Sequence, residues 1–323
     1  MPELEIQPFT EEHLDDAARL LEARHSGHRA AEPLLPEKID FRAELDSLRS
    51  SDDASGVVAL KGGRLVGYLL GGRRDDGIWG PNVWIELAGH AAVEPEIVRD
   101  LYAAAAGNWV EDGRHRHYVL VPATDADLVD AWFRLSFGAQ HAAGIQETPD
   151  IQETPEALNS APSRVEVRPA RADDVDAAVA LDWVLPQHQE RSPVFSAGPQ
   201  WSEEELRKEF LEDIANPEIG LFIAELAGKP VGLLAMVSAE KSSMHSSLAR
   251  PERAALLAFA ATLPEARGSG AGLALTNAGL AWAREQGYPV VVTDWRETNL
   301  LSSRFWPKRG FRRTFLRLYR SIP

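Results

Sequence analysis

No cysteine occurs in the 323 residues, which excludes disulfides, thiolate metal centres and a cysteine nucleophile. No apolar run approaches the length of a membrane span, so no membrane partner is expected. The first residues, Met1-Pro2-Glu3-Leu4-Glu5, are acidic where a secretory signal would be basic. A cytoplasmic protein is the expectation. Basic residues are in deficit: 34 Lys and Arg against 49 Asp and Glu leave a net charge of −15. That balance argues against a nucleic-acid partner and suits either a cationic substrate or plain solubility. A group of basic residues gathers at the C-terminus: Arg304, Lys308, Arg309, Arg312, Arg313, Arg317 and Arg320. Some of these residues are candidates to screen an anionic ligand, and the rest face solvent.

The length suits two domains, each with its own core, and the chain repeats itself. Glu5-Ile6-Gln7-Pro8 returns as Glu166-Val167-Arg168-Pro169, and Leu65-Val66-Gly67 as Pro230-Val231-Gly232. Trp132-Phe133-Arg134-Leu135 aligns with Phe305-Trp306-Pro307-Lys308. The offset grows steadily along the chain, as two copies separated by small insertions require. Each copy reads as a strand, an acidic-capped helix (Glu11–Arg24; Ala172–Val184), a variable helical segment (Ile39–Ser50; Ser202–Ala215) and two strands around a glycine turn. A strand, helix, strand, helix and strand follow. The segment Ile145–Arg164 holds Ile-Gln-Glu-Thr-Pro twice and few bulky apolar groups, which predicts a linker.

The most specific local feature is Pro264-Glu265-Ala266-Arg267-Gly268-Ser269-Gly270-Ala271-Gly272. The apolar run Ala254–Thr262 before it reads as a strand, and Leu273–Gln286 after it reads as a helix with Leu273, Leu280 and Trp282 among alanines. A strand, a glycine turn and a helix N-terminus aim several N–H groups at one place, which suits a phosphate. A triphosphate-binding loop needs Gly-Lys-Ser/Thr at its end and finds Ala271-Gly272-Leu273. A dinucleotide fingerprint from Gly268 needs glycine at 273 and finds leucine. Arg/Gln-x-x-Gly-x-Gly/Ala does fit, through Arg267, Gly270 and Gly272. Downstream come a strand at Pro289–Trp295, then Asn299, then Arg304-Phe305-Trp306-Pro307-Lys308-Arg309-Gly310-Phe311.

With these parts in this order the chain resembles the GNAT superfamily of acyl-CoA-dependent N-acetyltransferases, in a tandem two-domain form. The resemblance implies an α/β (α+β) fold: two tandem domains, each a mixed, mostly antiparallel twisted sheet flanked by helices. The domains expected are 1–150, a linker at 151–163, and 164–323. It implies acetyl-CoA as co-substrate, with Ala260, Ala261 and Thr262 along the pantetheine arm. Arg267, Gly268, Ser269, Gly270, Ala271 and Gly272 would meet the pyrophosphate, and Asn299 and Trp306 would line the cofactor cleft. The first copy has Ala92-Val93-Glu94-Pro95-Glu96-Ile97-Val98-Arg99 where its own loop should stand. Without glycine, and with two glutamates opposing a pyrophosphate, it is expected to be a degenerate domain with a structural or gating role. His115 and His117, on its expected fifth strand, read as core or surface residues rather than metal ligands.

Acetyl transfer to an amine needs a base, because an alkylammonium such as lysine's titrates near about 10.4. A backbone N–H polarising the thioester carbonyl would complete the site. Asp294 shares a strand face with Val290 and Val292 and lies five residues before Asn299, where the family's base candidate stands. Its competing role is to cap the following turn. Glu240, His245 and Glu297 are secondary candidates. The family usually has a tyrosine at the Trp306 position to protonate the thiolate, and an indole cannot replace it. Pro307 should kink or shorten the last helix. Leu185–Trp201, together with Trp183, falls where the family builds its acceptor loop. The expected function is N-acetylation of a primary amine on a small molecule or peptide by direct attack, performed by a monomer whose domains form a pseudo-dimer. The alternative is a non-catalytic acyl-CoA sensor or scaffold.

Overall fold

The computed structural model describes residues 3–76, 79–149, 165–196, 201–242 and 244–323. In chain order the elements are β1 (Leu4–Pro8), α1 (Leu14–Ala31), α2 (Phe41–Arg49), β2 (Ala54–Lys61), β3 (Arg64–Asp76), β4 (Gly80–Ile85) and β5 (His90–Ala92). Then come α3 (Ile97–Glu111), β6 (Arg116–Pro122), α4 (Ala126–Phe133), β7 (Gly138–Glu147), β8 (Val165–Pro169), α5 (Val175–Asp182) and α6 (Val184–Gln189). The last are α7 (Glu203–Ala215), β9 (Gly220–Leu226), β10 (Lys229–Ser238), β11 (Ala254–Thr262), α8 (Ala271–Glu285), β12 (Val290–Arg296), α9 (Ser302–Phe305) and β13 (Arg312–Ser321). No described helix is long and apolar enough to cross a membrane.

The chain forms two compact units whose boundaries do not follow one cut. Unit 1 comprises Met1–Ala143, Ser246–Arg250 and Arg313–Pro323, and unit 2 comprises Gly144–His245 and Pro251–Arg312. The sequence expectation of domains at 1–150 and 164–323 therefore differs from the structure at both ends. The end of β7, Gly144–Glu147, belongs to unit 2, where Thr148 beyond it donates to the Pro289 carbonyl at 2.9 Å. The last strand, β13, belongs to unit 1, pairing Phe315–Ser321 antiparallel with Arg116–Pro122 of β6. Residues 145–147, read as the start of a linker, are strand, and Ile145 is fully buried. The linker expected at 151–163 lies outside the described residues.

In unit 1 the strands run β1-β2-β3-β4-β6-β13-β7, with β5 beside β3, and β4 pairs with β6 in parallel. Its core gathers Leu69, Val83, Ile85, Leu101, Trp109, Val119 and Trp132 from the first part of the chain and Leu318 from β13. Burying side chains of this size contributes roughly 1.5–3 kcal/mol each. In unit 2 the order is β8-β9-β10-β11-β12, antiparallel except for β11 with β12. The run Val290-Val291-Val292 suits a strand buried on both faces, and all three are at most 7 % exposed.

Local signals set the helix starts. Ser202 caps α7 by accepting from the Glu205 N–H, and the Glu205 carboxylate accepts from the Ser202 N–H at 2.8 Å. Asp40 and Asp125 cap α2 and α4 by accepting from the Ala43 and Leu128 N–H groups. The stretch Ala172–Val184 is not one helix: α5 ends at Asp182, and α6 starts beyond Trp183. α8 lies tight on the sheet because Gly279 has no side chain, since a Cβ there would stand 2.9 Å from Leu234 Cδ2 and 3.0 Å from Met236 Sδ.

Candidate functional site

β11 and β12 share a parallel ladder only from Ala254–Val290 to Leu257–Thr293. Past that rung both strands continue, β11 to Thr262 and β12 to Arg296, without a further rung between them. The divergence has a local cause. Against β10, Ala235 pairs with Phe259 and Met236 with Leu257, so Ala258 stands outside the ladder as a bulge, and a bulge turns its strand away. Thr293 closes the fork at its base, its hydroxyl donating to the Leu257 carbonyl at 3.0 Å within buried surroundings. Ala260, Ala261 and Thr262 lie on the β11 arm and remain held by β10.

The β11 arm leads into the glycine loop. A short 3-10 turn, Pro264–Ala266, is followed by Gly268 at φ 82° and Gly270 at φ 93°, both left-handed positions that an L side chain strains to occupy. Gly270 is the N-cap of α8 and offers no side-chain cap. The Ser269 hydroxyl accepts from the Ala271 N–H at 3.3 Å, and the Ala274 N–H reaches the Gly270 carbonyl. The N–H groups of Gly268, Gly270, Gly272 and Leu273 donate to no group among the described residues. Arg267 is exposed beside them. Gly272 is explained by neither backbone nor packing, since its φ is ordinary and a Cβ there meets only the Phe305 ring at 3.6 Å. Free donors at a helix N-terminus with small residues around them are the arrangement that suits an anion.

On the other arm, Asp294 is the first β12 residue beyond the last rung and is half-buried between the buried Thr293 and Trp295. Trp295 donates its indole N–H to Glu297 at 3.0 Å, so Glu297 is engaged in holding that ring. Asn299 is 2 % exposed and organises the turn into α9: its Oδ1 accepts from the Leu301 N–H at 3.1 Å and the Ser302 N–H at 3.4 Å. The hydroxyls of Ser302 and Ser303 both donate to the Asn299 carbonyl. Trp306 is buried and edge-packed on Phe305 and Phe311, with ring centroids 4.9 and 5.6 Å away. The last helix is the single turn Ser302–Phe305, ending before Pro307 as the sequence predicts.

Several sequence expectations change. The acceptor loop read at Leu185–Trp201 begins with a helix, α6, which packs against β11. Residues 197–200 of it lie outside the described residues. His188 of α6 places Nε2 3.2 Å from Asn299 Oδ1, and Gln189 accepts from Arg296 Nε at 3.2 Å. Neither α6 residue stands out in the sequence, because only the fold brings residues so far apart in the chain together. His245 is fully buried, with Nδ1 3.1 Å from Ser242 Oγ, and Glu240 sits in a 3-10 turn after β10. Of the C-terminal cations, Arg317 stacks over Trp79 and Trp84 and Arg320 over Tyr102, all within unit 1. Arg309 stacks on Phe305.

Unit 1 has the same fork with different contents. Its parallel ladder ends at Ile85–Val119, and Glu86–Gly89 bulges out before β5. Arg24 donates to the carbonyls of Leu87 and His90, and His90 Nε2 donates across to the Leu120 carbonyl at 3.1 Å. Burial, aided by the Arg24 charge, holds the His90 imidazole down at about 3, so it is neutral. At the start of α3 the N–H groups of Ile97, Val98 and Arg99 already donate to Glu94, Pro95 and Glu96. Glu96 is ion-paired with Arg99 and Arg134. His115 lies just before β6 and meets the Pro323 carbonyl, while His117 is buried on Tyr102. No group of His, Asp or Glu suited to a metal occurs among the described residues.

Residues 182–311 match the model of the acetyltransferase (GNAT) family. That span holds the fork, the loop and α9, and ends before β13. No curated protein matches the chain. Among solved structures, a GCN5-related N-acetyltransferase from Sphaerobacter thermophilus is similar, with 12% identity, 99% of this chain and 96% of that one covered, and a TM-score of 0.58. So is the GCN5-related glucosamine N-acetyltransferase region of a fungal multi-domain GH3 β-N-acetylglucosaminidase, with 14% identity, 99% of this chain and 38% of that one covered, and a TM-score of 0.52. At these identities the likeness is one of fold. Residues 182–311 are therefore similar to the acetyltransferase (GNAT) family, and the chain as a whole shares the fold of solved GCN5-related N-acetyltransferases.

Proposed function

We propose that unit 2 transfers an acetyl group from acetyl-CoA to the primary amine of a small-molecule or peptide acceptor by direct attack. The observation that carries this reading is the set of four free N–H groups at Gly268, Gly270, Gly272 and Leu273, at the end of a strand that has parted from its neighbour. The loop from Arg267 to Gly272 holds the pyrophosphate, and the open edge of β11 at Ala260, Ala261 and Thr262 receives the pantetheine amides. Asn299 shapes the turn beside the cleft and Trp306 walls it. Acetyl-CoA supplies the activated acetyl group, and the chain supplies position and charge. Asp294, at the mouth of the fork, attracts an ammonium and takes its first proton, freeing the nitrogen lone pair. The overall charge of −15 favours a cationic acceptor.

Unit 1 takes no part in holding acetyl-CoA on this reading. Arg24 and His90 occupy the backbone groups its fork would offer, and the first turn of α3 has spent its N–H groups on its own loop. Calorimetry with acetyl-CoA is expected to give one site per chain. Two sites, or one site abolished by changes at Arg24 and untouched by changes at Gly272, would overturn this division. Thiol release measured across a panel of amines then tests turnover. The buried Trp306, where the family usually has a tyrosine, favours the second reading, an acyl-CoA sensor. Tight binding without thiol release across the panel would select it.

A further inference from the structure

Resting on acetyl transfer in unit 2, we propose that His188 carries the second proton of the reaction, from the amine nitrogen to the sulfur of the departing thiol. An ammonium becomes an amide by losing two protons. Asp294 accounts for the first. The second leaves nitrogen as the C–N bond forms and must reach sulfur as the C–S bond breaks.

Within unit 2 the usual carriers are engaged elsewhere. Trp306 is an indole packed between Phe305 and Phe311 and does not ionise usefully. The Ser302 and Ser303 hydroxyls donate to the Asn299 carbonyl. Of the five tyrosines, only Tyr288 lies in unit 2. It stacks on Trp282 at the opposite end of β12 from Asp294, about 20 Å away at the rise of a strand. His245 is fully buried against Ser242.

His188 stands at the mouth of the fork. α6 packs against β11, the first arm, while Gln189 holds Arg296 at the end of the second arm and His188 meets Asn299 just beyond it. α6 thus bridges the two diverging strands. Asn299 also fixes the imidazole tautomer. Its Oδ1 accepts from two backbone N–H groups, Leu301 and Ser302, so the oxygen's identity is set by donors that cannot reverse. An oxygen 3.2 Å from His188 Nε2 requires the hydrogen to sit on Nε2. Nδ1 is left with its lone pair. Nδ1 takes the proton from nitrogen as the C–N bond forms, and the same Nδ1–H gives it to sulfur as the C–S bond breaks and its electron pair stays on sulfur. The ring returns to the tautomer Asn299 holds, with Nε2–H bound throughout. The charged groups on the adjoining segments are Glu190 and Arg191 beside it, Asp176 and Asp182 on α5, Asp294 and Arg296 on β12 and Glu297 just beyond it, and the substitutions below leave all of them in place.

The test uses His188→Gln in the full chain, since a glutamine amide still donates to Asn299 but cannot carry a proton; His188→Asn serves if that variant fails to fold. The first readout needs no acceptor: the thiol of bound CoA is titrated by thiolate absorbance. The expected result is a midpoint differing by about half a pH unit or more between wild type and variant, with CoA affinity retained. With any amine turned over, kcat should fall about 100-fold while KM for acetyl-CoA stays within about threefold. Coincident midpoints, or a kcat above about a tenth of wild type, overturn the role of His188 alone. Failure of wild type to bind CoA overturns it together with the reading of unit 2.

Discussion

The Thr293 hydroxyl donates to the Leu257 carbonyl across the last rung that β11 and β12 share. Val119 occupies the matching place on the last rung in unit 1, where no hydroxyl is available. The bond closes the fork at its base, so the opening begins at Ala258 and Asp294. Thr293→Val keeps the shape and removes the donor. Leaving a buried carbonyl unsatisfied costs about 1–3 kcal/mol. Urea unfolding should show that loss, and an unchanged midpoint would show the hydroxyl to be dispensable.

Gly270 and Gly272 separate two reasons for being glycine. Gly270→Ala forces a side chain to φ 93° and should cost the free protein roughly 1–2 kcal/mol. Gly272→Ala meets no clash and improves helix propensity, so the free protein should keep its stability or gain up to about 1 kcal/mol. The same change crowds the amide cradle. Thermal shift with acetyl-CoA should therefore shrink in Gly272→Ala although the protein itself is no weaker. An undiminished shift would place the diphosphate elsewhere.

Asp294→Asn is nearly isosteric and removes the charge at the mouth of the fork. It should lower kcat about 100-fold or more and leave acetyl-CoA affinity within about threefold. Equal loss of affinity and rate would instead mark Asp294 as a structural cap, which calorimetry and steady-state kinetics together distinguish.

Acid should weaken unit 1 before it reaches the carboxylate range. Burial holds His28 and His90 down at about 3 and His117 at about 4, with the Arg24 charge adding to the first two. Each is neutral in the folded chain, whereas an unfolded histidine takes a proton near about 6.5. The stability they supply is complete above that value and declines as pH falls from 6.5 toward 4 and 3, by about 1.4 kcal/mol per pH unit for each histidine. Asp182 in unit 2 has the opposite sign: burial first, then Glu209, raises it to about 6, so protonation there favours the folded state as pH falls below 6. Hydrogen exchange at Val119–Val121 isolates unit 1, and protection there should drop between pH 6.5 and 5. Constant protection would mean that the histidines are hydrated.

Much of the site is legible in the letters, because local chemistry made it. The strand Ala254–Thr262 has the bounds its apolar run predicts, and Gly268 and Gly270 adopt the backbone that only glycine tolerates without strain. The stop at Pro307 follows from a missing N–H. The end of β7 and β13 are different. Both are short alternating segments with similar strand propensity, so nothing local states that Phe315–Ser321 will pair with Arg116–Pro122. Strand partners are chosen by ladder bonds and shared burial, which depend on the whole fold.

What the sequence determined was every feature whose cause lies within a few residues: the absence of thiol chemistry, the glycine loop, the capped helices and the repeat. Only the tertiary structure decided which strand completes which unit, that Arg24 fills the first fork, and that His188 meets Asn299 at the second. Hydrogen bonds and packing act over ångströms in space and are indifferent to separation along the chain. Contacts between residues 66 or 111 positions apart therefore leave no local trace.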